Sequence, residues 1–300
     1  MTERMPRQGW VPWHDRAGRF SLLRLMAFLF LMYPAAHLLK SGLYQELGAE
    51  PLKAALHETG RWTIRFLLVS LAITPLREAL SWPRLLIVRR MIGVGTACYA
   101  LLHLALYGVY ENGRLWLICS EIGSHFYLLI GLVALCGLVV LAVTSTDSWM
   151  RRLGRRWKKL HRAVYVLVIL ALMHGLIQAK IDISQEAVWS GIFCALMAWR
   201  LWPRQHRGLW GVIILSLAAI PATALLEAAW YGLVRGLNWH LVLSANWPPD
   251  LATAWRMTIT LGPRPAWEVA GLACLMIAAV SWRRWFVSRQ QWKVARKNGG

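Results

Sequence analysis

The sequence predicts an all-α fold, a polytopic bundle of transmembrane helices, and three observations lead to it. Hydrophobic residues make up 57% of the 300, with 19 tryptophans among them; soluble domains hold roughly 45–50% apolar residues. Apolar runs of about 20 residues, long enough to span a bilayer, recur along the whole chain. Finally, the net charge of +20 comes from Lys and Arg residues grouped between those runs. This is the pattern of charged loops in a membrane protein and excludes a nucleic-acid-binding surface.

Eight stretches qualify as helices: residues 20–39, 62–80, 91–110, 125–145, 160–179, 187–202, 209–234 and 266–287. The second carries Arg65 and Pro75 and the sixth is short, so these two are the weakest. The first follows an Arg-rich N-terminus, but "MYPAAHLLK" offers no small-x-small cleavage site, so it is expected to be retained as a span. Counted over alternate connections, Lys and Arg number twenty-four on one side and eight on the other. Positive residues stay on the cytoplasmic side. Both termini are therefore expected in the cytoplasm of a bacterial inner-membrane protein.

No internal repeat or low-complexity tract interrupts the chain. A change of composition at residues 203–208, "PRQHRG", suggests a division into a cytoplasmic segment 1–19, a core 20–203 and an extension 204–300 with two helices and a basic tail. The longest outer connection, 236–265, contains "NWHLVLSANWPPD", whose tryptophans suit the membrane interface; docking of a partner is the lesser reading.

The five cysteines, Cys98, Cys119, Cys136, Cys194 and Cys274, form no C-x-x-C for a redox dithiol or zinc and no C-x-x-C-H for covalent haem. Ionisable groups inside spans are expensive and mark function, which directs attention to the nine histidines. His14 and His206 fall in basic segments and His240 in the outer loop, as solvated residues would. His37 and His125 lie at helix ends. His103, His161 and His174 remain, with His57 just ahead of the second helix.

His103 lies twelve residues into the third helix and His174 fourteen into the fifth, about 18 and 21 Å of rise. These helices run the same way, so the two imidazoles share a depth near the outer leaflet and can ligate one haem axially. His161 lies about 20 Å nearer the cytoplasm and can serve a second haem. Thirteen residues of ideal helix turn through about 220°, however, so His161 and His174 do not share a face unless the helix bends. The alternative for each is a polar contact between helices, or a snorkelling side chain for His161.

"HETGRW" at 57–62, "ITPLR" at 73–77, "RRMIGVG" with "LLHLALY", and "TSTDSWMRRLGRRWKKLHRAVY" leading to "MHG" closely resemble the ferric-reductase-like transmembrane family over residues 48–203. The similarity is greatest to those members that supply electrons to MsrP, a periplasmic molybdenum-containing reductase that repairs methionine sulfoxide in proteins. The resemblance implies a six-helix ferric-reductase-like core. Members of usual length end soon after the sixth helix, so the two further C-terminal transmembrane helices read from hydropathy are an extension that the resemblance does not supply. Haem b and FMN are the cofactors it implies, and the quinone pool or a cytosolic flavin reductase the electron source. The family's haem ligands fall on His103, His161 and His174.

Some features stand outside the pattern. Relatives such as NADPH oxidases carry two histidines in the third helix, whereas the position thirteen or fourteen before His103 is Arg90 or Arg89. A protein ligand opposite His161 is therefore not identifiable, and one haem or two remain open. For His57, helix capping by Thr59 and a contact to quinone or a haem propionate are equal alternatives. The run 151–159 is explained by the positive-inside rule, with docking of an acidic flavin reductase as the second reading. No glycine loop for phosphate and no nicotinamide fingerprint occurs. Two other classes compete with electron transfer: a proton-coupled transporter using intramembrane histidines, and an intramembrane metallohydrolase, which lacks H-E-x-x-H.

Overall fold

The computed structural model describes residues 11–14 and 18–298, with side chains except at 251, 261 and 290–298. Much of the segment 1–19 and the final Gly299 and Gly300 lie outside the described residues. The helices are α1 (Leu22–Leu43), α2 (Pro51–Ala79), α3 (Leu86–Tyr110), α4 (Leu115–Ser124), α5 (Phe126–Val143), α6 (Asp147–Leu153) and α7 (Arg155–His161). They continue with α8 (Val164–Gln178), α9 (Ser184–Leu201), α10 (Leu209–Arg235), α11 (Trp239–Ala245), α12 (Leu251–Leu261) and α13 (Pro265–Asn298). Among the described residues no strand forms; one isolated bridge pairs His14 with Phe20.

All eight expected stretches fall on helices, the fifth divided at Arg162 and Ala163 between α7 and α8. Six helical segments are long and apolar enough to cross a membrane: Leu22–Leu43, Pro83–Tyr110, Phe126–Val143, Arg155–Gln178, Leu209–Arg235 and Pro265–Arg289. Large apolar side chains such as Leu29, Val133, Val166, Leu217 and Leu275 stay exposed on them, as lipid-facing residues must. The protein is therefore an all-α, multi-pass membrane protein. α2 and α9 fall short of that apolarity, in line with the weakness expected of the second and sixth stretches.

The chain forms two compact units, one from residues 1–70 and 84–168 and the other from 71–83 and 169–300. In the first, α1 packs on α3, and α5 on both α3 and α4. Phe66 of α2 is fully buried, with ring centroids 5.2 Å from Phe30 and Trp62 and 5.0 Å from Tyr99. Pro34 removes a donor from the middle of α1. Beside it the Ala35 N–H donates to the Tyr99 hydroxyl (3.0 Å), which donates onward to the Leu31 carbonyl (2.7 Å). The phenol thus carries the hydrogen-bond ladder across the interruption, as backbone groups in lipid require.

α2 begins at Pro51, eleven residues before the apolar run that announced it. Proline suits a first helical position, where its missing N–H has no intrahelical partner. In the polar first half one carboxylate serves two arginines. Glu58 pairs with Arg65 (3.2 Å) and Arg61 (3.8 Å), and the Arg65 guanidinium lies 4.7 Å from the Trp62 ring.

In the second unit α10 packs against α9, α11 and α13. Glu227 of α10 is wholly buried, accepting from Arg264 Nη2 (2.6 Å) and Asn246 Nδ2 (2.9 Å). Asn246 also accepts from the Ala266 N–H through its side chain (3.3 Å) and from Trp267 Nε1 through its carbonyl (2.8 Å). One carboxylate thereby ties the outer connection to both flanking helices. At the other end, Glu78 accepts from Trp199 Nε1 (3.0 Å) and Arg207 Nη1 (3.1 Å), around a core of Ala79, Trp199, Val212 and Val280.

Candidate functional site

His103 projects from α3 toward the polar first half of α2. Its Nδ1 lies 2.9 Å from the Leu56 carbonyl, and that carbonyl can only accept, so Nδ1 carries the proton. In that tautomer Nε2 carries the lone pair and is the nitrogen through which the ring would ligate a metal. One turn further along α2, Gly60 makes room for the ring: a Cβ built there would lie 3.0 Å from Cε1 and 3.1 Å from Nδ1 of His103. A glycine inside a helix costs roughly 0.5–1 kcal/mol relative to alanine, and here it admits an imidazole against the backbone. Leu56 and Gly60, four residues apart, share one face of α2.

This is the arrangement an axial haem histidine needs. One nitrogen donates to a fixed carbonyl, which sets the ring's orientation and raises the basicity of the other. The half-buried position of His103 and the flat space opened by Gly60 fit the demand that the ring be held without rotation.

His161 closes α7, and its surroundings differ. Its ring stacks on Trp157 with centroids 4.0 Å apart. Nδ1 lies 3.2 Å from the Trp157 carbonyl, while Nε2 is 3.2 Å from the Leu141 carbonyl and 3.3 Å from Ser145 Oγ. Both nitrogens are occupied by protein groups, so metal ligation through Nε2 requires exchange of those contacts. After His161 the helix does not continue ideally. Arg162, Ala163 and Tyr165 donate to carbonyls three residues back, at 3.2, 3.0 and 3.2 Å, and α8 starts at Val164. The rotation reckoned for thirteen residues of unbroken helix therefore does not apply between His161 and His174.

His174 is half-buried on α8. The units divide that helix between Val168 and Ile169, placing His103 and His161 in the first and His174 in the second. Among the described residues no group of three or more His, Cys, Asp or Glu is gathered that could hold a metal ion. A haem iron, with four porphyrin ligands, asks for only one or two histidines.

His57 is a correction to the expected boundary, since it lies within α2 rather than ahead of it. Thr59 does not cap the helix: its hydroxyl donates to the carbonyls of Ala55 and Leu56, both at 2.9 Å. His37 is exposed beside Tyr33, His125 sits at the α4–α5 junction and His240 stacks on Trp239, as expected of surface groups, whereas His14, expected to be solvated, is half-buried with its Nδ1 shielded from solvent. Sequence reasoning singled out His57 within "HETG" and passed over its glycine. The signal was there, because a helix-interior glycine calls for a packing reason.

Apolar helices that carry histidines at depth, one of them with a ring nitrogen bonded to a backbone carbonyl, define a multi-pass membrane protein of the haem-holding type that the comparisons then specify. Residues 59–172 match the family described as ferric reductase like transmembrane component. The protein named protein-methionine-sulfoxide reductase heme-binding subunit MsrQ from Xanthomonas campestris pv. campestris is 42% identical over 159 residues, 53% of this chain and 73% of the relative. The one from Xanthomonas euvesicatoria is 41% identical with the same coverage. That from Caulobacter vibrioides is 37% identical over 182 residues, 59% of this chain and 85% of its own. The chain belongs to the MsrQ family. No solved structure matches it.

Proposed function

We propose that this protein is a haem b electron-transfer subunit of the inner membrane, passing electrons outward to a periplasmic MsrP-type reductase that repairs methionine sulfoxide in proteins. The observation that carries the proposal is His103, whose Nδ1–H is committed to the Leu56 carbonyl while Gly60 clears the ring. Names of relatives that include heme-binding support the same cofactor. The quinone pool or a cytosolic flavin reductase is the electron source, and FMN the second cofactor that the family resemblance implies. The residues present do not mark out a place for FMN. The six-helix core is residues 20–203, with 204–300 as an extension and both termini on the cytoplasmic side of eight spans.

In this reading His103 and His174 are the axial pair of one haem, and His161 serves a second on the cytoplasmic side. Bound haem supplies a one-electron couple, and the chain's own groups set its conditions. The Leu56 carbonyl polarises the imidazole of His103. The absence of a C-x-x-C-H leaves only coordination and packing to hold the cofactor. Glu58 pairs with both Arg61 and Arg65 beside the site, which leaves α2 with a net positive charge there.

A reduced-minus-oxidised optical spectrum of the purified full chain tests the first half. A b-type spectrum reducible by dithionite, with haem extracted by acid acetone, is expected. Colourless protein from haem-replete cells refutes it and leaves the transporter reading. Reconstitution with an MsrP-type reductase and a quinol or reduced flavin tests the second half. Sulfoxide reduction should need both proteins, and turnover by the membrane chain alone would overturn the role of donor.

A further inference from the structure

We propose that the second unit carries a binding site for the headgroup of an anionic phospholipid, where α2 and α9 end, α10 begins and α13 leaves its apolar stretch. It stands on residues outside the histidine sites and holds whether or not haem binds.

The argument begins with charge. The only carboxylate at this end is Glu78, among the described residues, and it is fully used. Trp199 Nε1, Arg207 Nη1 and Arg77 Nη2 donate to it, the last at 3.4 Å. Arg207 also donates to the carbonyls of Trp202 (3.0 Å) and Arg200 (2.7 Å). Arg207 is thus a structural rivet, holding the turn 202–208 against α9. Three further arginines, Arg204, Arg283 and Arg284, have no carboxylate partner among the described residues. An uncompensated cluster of guanidinium groups repels itself unless an anion sits among them.

Next comes placement. Arg284 lies against Gly208, the residue that opens α10: a Cβ there would stand 2.9 Å from its Nη2. The turn therefore leaves a seat for this guanidinium, which a side chain at 208 would push aside. Arg283 Nε is shielded from solvent and has no hydrogen-bond partner. Such a donor, inside an apolar setting, is costly until an acceptor reaches it. Guanidinium groups match phosphate oxygens in bidentate fashion and so discriminate geometry as well as charge.

The neighbourhood identifies the anion's source. Trp210, Trp282 and Trp285 are exposed around the same end, Trp210 to 75% and Trp282 to 67%. Arg289 stacks 4.1 Å from the Trp285 ring. Exposed tryptophans beside arginines at the end of an apolar span mark the headgroup level of a bilayer. An anion at that level, among exposed apolar side chains, is the phosphodiester of a lipid with a net negative headgroup. Basic pockets between transmembrane helices bind such lipids elsewhere.

The test is native mass spectrometry of the delipidated full chain, titrated with an equimolar mixture of phosphatidylglycerol and phosphatidylcholine. The wild type should keep phosphatidylglycerol preferentially. Each arginine at a charged membrane surface contributes roughly a fivefold effect, so R283Q/R284Q should lower the preference about thirtyfold. Gly208→Leu, which keeps every charge but occupies the seat of Arg284, should lower it about fivefold. R151Q/R152Q removes the same charge from another basic segment and should leave the preference unchanged. If R283Q/R284Q does not yield folded protein, Gly208→Leu decides the matter, with a thermal unfolding midpoint as control.

Equal losses from the 151/152 and 283/284 pairs would reduce the effect to net charge and overturn the proposal. Displacement of phosphatidylglycerol by millimolar inorganic phosphate would point to a free-anion site and overturn it too. So would an R283Q/R284Q protein that keeps its lipid preference but no longer accepts electrons from a flavin reductase, since the surface would then be a protein-docking face.

Discussion

Gly60 offers a perturbation in which helix stability and site integrity should move in opposite directions. In Gly60→Ala the new Cβ lies 3.0 Å from His103 Cε1 and 3.1 Å from Nδ1, while carbon contacts settle at about 3.5–4.0 Å. The ring must retreat by roughly half an ångström. Its bond to the Leu56 carbonyl then stretches from 2.9 Å to beyond about 3.2 Å, the edge of ordinary N–H···O geometry. Losing that bond costs about 1 kcal/mol and a displaced rotamer about 1 kcal/mol more. The sum corresponds to roughly a thirtyfold weaker hold on haem, within the ten- to hundredfold usual for outer-sphere ligand partners.

The same substitution should strengthen α2 by about 0.5–1 kcal/mol through helix propensity, so a fall in haem cannot be blamed on unfolding. Gly60→Val adds two γ carbons toward the ring and should leave the protein without haem at that position. The assays are haem per polypeptide after purification and the rate of haem transfer to an excess of apomyoglobin. If both variants match the wild type in content and rate, His103 is not the ligand, or the ring is not held as the structure shows it.

Three further outcomes are expected. His103→Ala and His174→Ala should cause similar losses of haem, the double change should add little because both act on one cofactor, and His161→Ala should spare that haem while slowing electron entry; complete loss in His161→Ala with an intact His103→Ala would redraw the pairing. Glu227→Ala strands Arg264 and the Asn246 amide, so the thermal midpoint in detergent should fall by the equivalent of roughly 2–4 kcal/mol, and an unchanged midpoint would deny the buried pair its structural role. A reporter fused after Gly113 should read periplasm and one at Gly300, beyond the described residues, cytoplasm; a periplasmic C-terminus would refute eight spans.

The long helices were legible because lipid demands about 20 apolar residues for each crossing: all eight stretches read from hydropathy fall on helices, and six of the segments are apolar enough to cross. Their boundaries were less so where a helix leaves the apolar zone. The first eleven residues of α2 contain Lys53, His57, Glu58 and Arg61, and only Pro51 hinted at the true start. His103 was visible as an ionisable group at depth. Its partner was not, because a backbone carbonyl leaves no mark on sequence. The break after His161 was equally hidden in an uninterrupted apolar run from Ala163. The composition change at 203–208 has no counterpart in the packing of the second unit. Arg207 ties that turn to α9 and to Glu78, and α10 continues directly against α9.

Why α2 and α9 fail the test of apolarity follows from where they sit. Residues that face lipid must be apolar, whereas residues enclosed by protein are free to be polar once paired. α2 buries Thr59, Thr63, Ile64, Phe66, Leu67, Leu68, Ser70 and Leu71 nearly in succession, and α9 buries an unbroken run from Glu186 to Gly191. In α9 low hydropathy goes with enclosure, since Glu186 and Ser190 are buried, whereas in α2 it comes from the paired, part-exposed charges of Lys53, Glu58, Arg61 and Arg65 ahead of the enclosed stretch. An imidazole that needs a carbonyl acceptor and a cleared face finds both in the less apolar first half of α2, because a helix stretch that faces lipid carries bulky apolar side chains there instead. That places the Leu56 and Gly60 seat for His103 on α2, the helix that a hydropathy scan ranks among the weakest.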